Sequence, residues 1–157
     1  MSAGAITLRT GDARDIAAVE ALVAAAFDPR YGEAWTRGQC LGVLAMTGVR
    51  LTLATIGEAP AGFALVRSAA DEAELLLIAV APSMRRGGVG GALLRSVIAE
   101  AGATGIADLH LEVRASNPAV GLYRDHGFVK VGERRAYYRG RTGEAFDAHT
   151  YRRPIGP

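Results

Sequence analysis

Residues 74–100 read ELLLIAVAPSMRRGGVGGALLRSVIAE, and the fold follows from how this stretch divides. The apolar run from Leu75 to Val80 is too short for a lone helix and is bounded by Pro82, which predicts a strand buried on both faces. Arg85, Arg86, Gly87, Gly88, Val89, Gly90 and Gly91 follow as a basic, glycine-dense turn. Leu93, Leu94, Val97 and Ile98 then recur at helical spacing with Glu100 on the opposite side, predicting a helix from about Gly88 to about Gly102. Strand, glycine turn and helix together form an anion cradle. The first N–H groups of a helix lack internal partners and face whatever sits over its N-terminus, where the macrodipole favours negative charge. Glycines let a pyrophosphate approach the backbone, and arginines offer forked donors to its oxygens.

Several ligands suit such a cradle. A Walker-type loop would close on Gly-Lys-Ser/Thr, whereas Gly90 is followed here by Gly91, Ala92 and Leu93. A dinucleotide fingerprint could take Gly88 and Gly90 as its first two glycines, but Leu93 stands at the third and two arginines precede the turn. A glycine turn with no ligand is the remaining alternative, and it leaves the instability of so many glycines in a first helical turn without a reason.

Half of the 157 residues are hydrophobic, enough for one core, and residues 1–157 read as a single domain. The net charge is +2, and of the 18 cations only Lys130 is a lysine. Seven of those cations lie within residues 130–153, so the C-terminal end carries the basic bias, suited to a solvated face or to an acidic cofactor tail, peptide or RNA. Cys40 is the only cysteine, which excludes an intramolecular disulfide and makes a reducing cytoplasm the simplest compartment. Its surroundings, Gly38-Gln39-Cys40-Leu41, suit a buried small hydrophobe rather than a nucleophile. The opening MSAGAITLRT has neither a basic nor an apolar signal region, and the longest uncharged stretch, residues 38–49, is too short to span a bilayer.

Along the chain, residues 6–10 predict an edge strand, and Asp12 with Asp15 caps a helix striped by Ile16, Val19, Leu22, Val23 and Phe27. Pro29 ends that helix, and a second is expected over residues 35–47, weakened by Gly38 and Gly42. Residues 49–56 and 62–67 alternate as a hairpin around Gly57-Glu58-Ala59-Pro60. In residues 107–114 the period is two, which places Leu109, Leu111 and Val113 on one face and His110 and Glu112 on the other. Asn117 or Ser116 caps a short helix through Asp125, stopped by Gly127, and strands over residues 128–135 and 146–152 close the chain.

Arg85-x-x-Gly88-x-Gly90 after a strand ending Val80-x-Pro82 resembles the acetyl-CoA pyrophosphate loop of the GNAT acyltransferases. Leu111-Glu112-Val113-Arg114, Ser116-Asn117, Leu122-Tyr123 and Gly127-Phe128 extend the match over at least residues 61–138. The pattern is most similar to the bacterial ribosomal-protein-alanine N-acetyltransferase branch, the RimI type. The resemblance implies a mixed, mostly antiparallel α/β sheet of about seven strands, with four helices on both faces. It also implies central strands that splay apart to hold acetyl-CoA, with the thioester beside the free backbone of Ile78, Ala79 and Val80. Residues 85–91 would then hold the pyrophosphate and Asn117 the pantetheine arm.

The same resemblance assigns Glu112 as general base and Tyr123 as the acid that protonates the leaving thiolate. Glu74, at the position used by histone-type members, is the rival base, and a structural ion pair with Arg114 or Arg85 is the alternative for Glu112. Trp35-Thr36 matches the pair that starts the second helix, after a loop a few residues longer than the branch pattern. Tyr137 and Tyr138 match an Arg-x-x-Tyr-Tyr pattern that clamps the incoming peptide, with Ala136 where that pattern has asparagine. Asn117 precedes Tyr123 by six residues where the pattern has seven. The implied reaction is acetylation of a primary amine, foremost the N-terminal α-amine of a protein and among these a ribosomal protein. A small-amine acetyltransferase (polyamine, amino acid or aminoglycoside) and a silent acetyl-CoA-binding module are the alternatives. His110, His126 and His149 have no metal-ligand spacing, and neither direct nucleic-acid binding nor membrane association is expected. Nothing in the pattern decides the oligomeric state.

Overall fold

The computed structural model describes residues 4–156. In chain order its elements are β1 (Ile6–Gly11), α1 (Ile16–Ala26), α2 (Arg37–Leu44), β2 (Val49–Ile56), β3 (Ala59–Ala69), β4 (Glu72–Val80), α3 (Val89–Ala103), β5 (Asp108–Arg114), α4 (Val120–Asp125), β6 (Val129–Arg139) and β7 (Ala145–Pro154). The strands form one sheet in the order β1-β2-β3-β4-β5-β7-β6, antiparallel throughout except for β4 beside β5. This is the expected mixed α/β sheet, with four α-helices among the described residues. None of those helices is long and apolar enough to cross a membrane.

Each face of the sheet has its own core. Val89, Leu93, Leu94, Val97 and Ala101 of α3, with Tyr123 of α4, pack on Leu75, Leu109, Leu111 and Val113. On the other face Ile16, Val19, Leu22 and Val23 of α1, with Cys40 of α2, pack on Leu51, Leu53, Phe63, Leu65, Leu77 and Ala79. Leu75 thus faces α3 while Leu77 faces α1, although the two lie two residues apart and ordinary alternation would place them together. The cause is a bulge: Leu65 pairs with Leu77 and Val66 with Leu75, so Leu76 is the extra residue of β4.

The site depends on what the bulge does next. The parallel register of β4 with β5 runs only from Glu72↔Asp108 to Leu75↔Leu111 and stops at Leu76. Beyond it, β3 still pairs with β4 as far as Val80, and β7 still pairs with β5 as far as Arg114. The two central strands therefore part, and the edges of residues 76–80 and 112–114 that faced each other are free of strand partners.

Several boundaries differ from expectation for local reasons. Asp12 and Asp15 do form a capping box, but on a 3-10 turn over residues 13–15 that leads into α1. Thr36 and Gln39 cap α2, which ends at Leu44 instead of Thr47 because the chain must turn at Gly48, whose φ is +83°. The β2–β3 turn is tighter than the sequence suggests, and Pro60 lies within β3, paired with Thr55 at a bulge. Strands β6 and β7 run on to Arg139 and from Ala145, past a further bulge between Arg134 and Tyr138.

Candidate active site

The gap between β4 and β5 is the floor of a cleft of about 980 Å³, walled by the α1–α2 loop, the start of α3 and the start of α4. Ile78, Ala79, Val80, Arg85, Arg86, Gly88, Val89, Gly90, Gly91, Glu112, Asn117, Tyr123, Trp35 and Tyr138 all line it. Of the residues expected at the site, Gly87, Tyr137 and the rival base Glu74 stand outside that lining.

One end is built for an anion. Gly88 is the N-cap of α3 with φ +87°, a conformation that favours glycine, and the first intrahelical bond is Ala92 N–H to the Gly88 carbonyl. The N–H groups of Val89, Gly90 and Gly91 precede that bond, and the first turn carries no acidic side chain. A Cβ on Gly90 would come within 3.2 Å of Leu122 and 3.7 Å of Val80, narrowing the gap itself. Arg85 and Arg86 are exposed at the rim, and an Arg85 Nη2 donates to the Ala26 carbonyl at 3.1 Å, tying the loop to the end of α1. Free N–H groups, two guanidiniums and a first helical turn without acidic side chains fit a pyrophosphate.

The other end holds titratable groups. Tyr123 is buried against Phe128, with ring centroids 5.9 Å apart. Burial first, then the nearby Glu33 carboxylate and Tyr138, hold its phenol well above the ordinary tyrosine value. Tyr138 is pushed up in the same way by burial, Glu33 and Glu112. Glu112 is 19 % exposed and paired with Arg134 Nε at 3.1 Å, not with Arg114 or Arg85. Glu74 lies in register with His110, outside the cleft lining, and desolvation followed by the charge of Glu112 raises its carboxyl. Cys40 is 1 % exposed beneath the sheet, and burial raises its thiol, as befits a small hydrophobe.

Two cleft residues, Glu33 and Tyr31, had no sequence signal, and nothing in the sequence indicated that Arg114 would meet them. Glu33, 10 % exposed, accepts Arg114 Nε at 2.9 Å and Asn117 Nδ2 at 2.7 Å. Arg114, 7 % exposed, also donates to Ser116 Oγ, and its guanidinium lies 3.6 Å from the ring centroid of Tyr31. These contacts join positions 81 and 84 residues apart, which no local spacing records. The longer loop seen in the sequence is what delivers them: it forms a 3-10 turn over residues 29–31, then Gly32 at φ +69°. Asn117 is accordingly committed on both sides, since its Oδ1 accepts Ala119 N–H at 2.8 Å.

The β6 bulge shapes the remaining wall. Residues 135–137 are excluded from pairing, Ala136 takes φ +51°, and its N–H donates to Asp147 at 2.9 Å. Tyr138 turns into the cleft while Tyr137 is half-exposed outside it, the two rings meeting edge-on at 5.0 Å.

A family profile described as an acetyltransferase (GNAT) domain matches residues 34–140. The [ribosomal protein bS18]-alanine N-acetyltransferase of Escherichia coli K12 is 48 % identical over 79 residues, 50 % of this chain and 53 % of that protein. The N-alpha-acetyltransferase RimI of Mycobacterium tuberculosis is 40 % identical over 93 residues, 59 % of this chain and 55 % of the relative. The chain thus spans about half the length of the curated relatives it matches. The crystal structure of the E. coli ribosomal-protein-S18-alanine N-acetyltransferase superposes with a TM-score of 0.87 at 32 % identity, covering 98 % of this chain and 96 % of that one. Parted central strands, a glycine-led α3 and a profile match over most of the chain place the protein in the GNAT acetyltransferase family.

Proposed function

We propose that the protein transfers the acetyl group of acetyl-CoA to the N-terminal α-amine of a protein, with an alanine N-terminus and a bS18-like ribosomal protein as the expected acceptor, in the cytoplasm. The observation that carries the reading is that one cleft brings together the anion end of α3, the freed edge of β4, Glu112 and Tyr123. The likeness to the E. coli S18-alanine enzyme over nearly the whole chain supports the choice of acceptor.

In this reading Val89, Gly90, Gly91, Arg85 and Arg86 grip the pyrophosphate, and the thioester lies along Ile78, Ala79 and Val80. An α-amine has an ordinary pKa of about 7.7 to 8.0 against about 10.4 for lysine, so a far larger fraction of it is already neutral and a carboxylate base suffices. Glu112, directly or through a water, takes the proton as the amine nitrogen bonds to the thioester carbon. The C–S bond breaks, and the thiolate takes the proton of Tyr123. Backbone N–H groups on the free edge of β4 offer the oxyanion a partner. Trp35, Tyr138 and Tyr137 border the path of the peptide, Tyr137 from its outer side.

Incubation with acetyl-CoA and a library of peptides with free N-termini, beside a panel of polyamines, amino acids and aminoglycosides, tests the proposal. Products acetylated at the α-amine of alanine peptides are expected. Acetylation of the small amines alone would refute the acceptor, and no product from any amine would refute the activity.

A further inference from the structure

Among the described residues, Glu33 is the largely buried carboxylate of the cleft to which the acetyl-transfer scheme gives no task. Its two oxygens face two donors, Arg114 Nε and Asn117 Nδ2. From Asn117 the contacts continue inward: Oδ1 accepts Ala119 N–H at 2.8 Å, and the Ala119 carbonyl accepts Tyr123 N–H at 3.1 Å. Ala119, the N-cap of α4, has no side chain able to cap the helix, so Asn117 is what secures its first turn. The loop bearing Glu33 is anchored at its far side as well. Arg141 N–H donates to the Pro29 carbonyl at 3.1 Å, and Tyr31 meets Phe146 edge-on at 5.0 Å. A carboxylate between two fixed donors, on a loop pinned at both sides, is preorganised rather than incidental.

Resting on the acetyl-transfer reading above, we propose that Glu33 is a positioning residue. By gripping Arg114 and Asn117 together it sets the first turn of α4, and so holds the Tyr123 phenol at the open edge of β4. The longer α1–α2 loop is the structural means of bringing that carboxylate in.

The donor and acceptor count supplies a sharp test. A carboxylate satisfies two donors with two oxygens, whereas glutamine has one acceptor oxygen and sets its own NH₂ against the other donor. Glu33→Gln should therefore lower kcat for an N-terminal alanine peptide by about 10-fold or more, with the KM for acetyl-CoA within about twofold. Asn117→Ala removes the relay while leaving Glu33 paired with Arg114, and it should lower kcat to a similar extent. The double variant Glu33→Gln/Asn117→Asp restores the count: the glutamine oxygen accepts from Arg114, its NH₂ donates to the new carboxylate, and that carboxylate still accepts from Ala119. Net charge is unchanged, so kcat should recover most of its loss.

Amide hydrogen exchange of residues 118–125 in the full-length protein, read by mass spectrometry, should be faster in both single variants and return towards wild type in the double. Unchanged kcat in Glu33→Gln or Asn117→Ala would overturn the proposal. So would folded single variants that lose activity while the double fails to regain it, since Glu33 would then be acting directly. A rise in KM for acetyl-CoA with kcat held would assign the pair to cofactor binding instead and likewise overturn it. If the wild type acetylates no amine, the acetyl-transfer reading fails separately. The exchange measurement needs no acceptor, and unchanged exchange in Glu33→Gln would then overturn the grip on α4.

Discussion

Glu112 and Glu74 are neighbours on adjacent parallel strands, yet only Glu112 lies in the cleft lining, while Glu74 is raised by desolvation and by the charge of Glu112. Glu112→Gln should lower kcat by ~100-fold or more with acetyl-CoA affinity little changed, as steady-state kinetics and calorimetry would read. Glu74→Gln should leave kcat near wild type and leave stability unchanged or slightly higher, because it removes a like charge beside Glu112. The reverse ranking of the two variants would move the base to Glu74. Alternation over residues 108–114 set Glu112 and His110 apart from the core positions, and the Leu-Glu-Val-Arg resemblance singled out Glu112. Its partner was not legible, because Arg134 arrives from β6, two strands away across β7. Glu33 was still less legible, being a loop residue with partners more than 80 positions off.

Among the elements, β4 and α3 show how much a short stretch can specify. The continuous apolar run of β4 is readable as doubly buried, and the bulge at Leu76 gives the physical cause: it hands the strand from one core to the other just where pairing with β5 ends. The bulge itself leaves no mark in composition, since Leu75, Leu76 and Leu77 are identical. At the head of α3, Gly90→Val would place methyl groups against Leu122 and into the gap, and Arg85→Ala with Arg86→Ala would remove the forked donors. Each change should raise the calorimetric Kd for acetyl-CoA by about 10-fold or more, equal to about 1.4 kcal/mol. An unchanged Kd would contradict the cradle. In β6, Ala136 occupies the left-handed region at φ +51°, which costs a non-glycine residue about 1–2 kcal/mol and which asparagine tolerates better. Ala136→Asn should accordingly raise stability by up to about 1 kcal/mol in chemical denaturation, provided the Asp147 contact of its N–H is kept.

The molecule as a whole is a sheet between two cores with the Tyr123 phenol sunk into one of them, and that placement links the proposed chemistry to stability. Tyr123 and Tyr138 both hold their protons above the ordinary tyrosine value of about 10. An unfolded chain ionises these phenols first, so their contribution to stability is complete below pH ~10 and is lost as pH rises beyond it. The melting temperature should fall above pH ~10, and less steeply in Tyr123→Phe and Tyr138→Phe. A Tyr123 acid with the ordinary phenol value would have the rate fall near pH 10, whereas its burial should extend the active plateau to higher pH. The layers and the anion end were readable from local patterns and the parted strands from the family resemblance alone, while the closure of the cleft by the α1–α2 loop came only from long-range contacts. The most direct test of the account is the rate of α-acetylation of an N-terminal alanine peptide by the wild type and by Tyr123→Phe, which keeps the ring and its contact with Phe128. Mass spectrometry should show the α-acetylated peptide, formed at least ~100-fold more slowly by the phenylalanine variant. Equal rates, with the same alkaline limb, would show that Tyr123 does not protonate the leaving thiolate and would contradict the assignment of this cleft's chemistry.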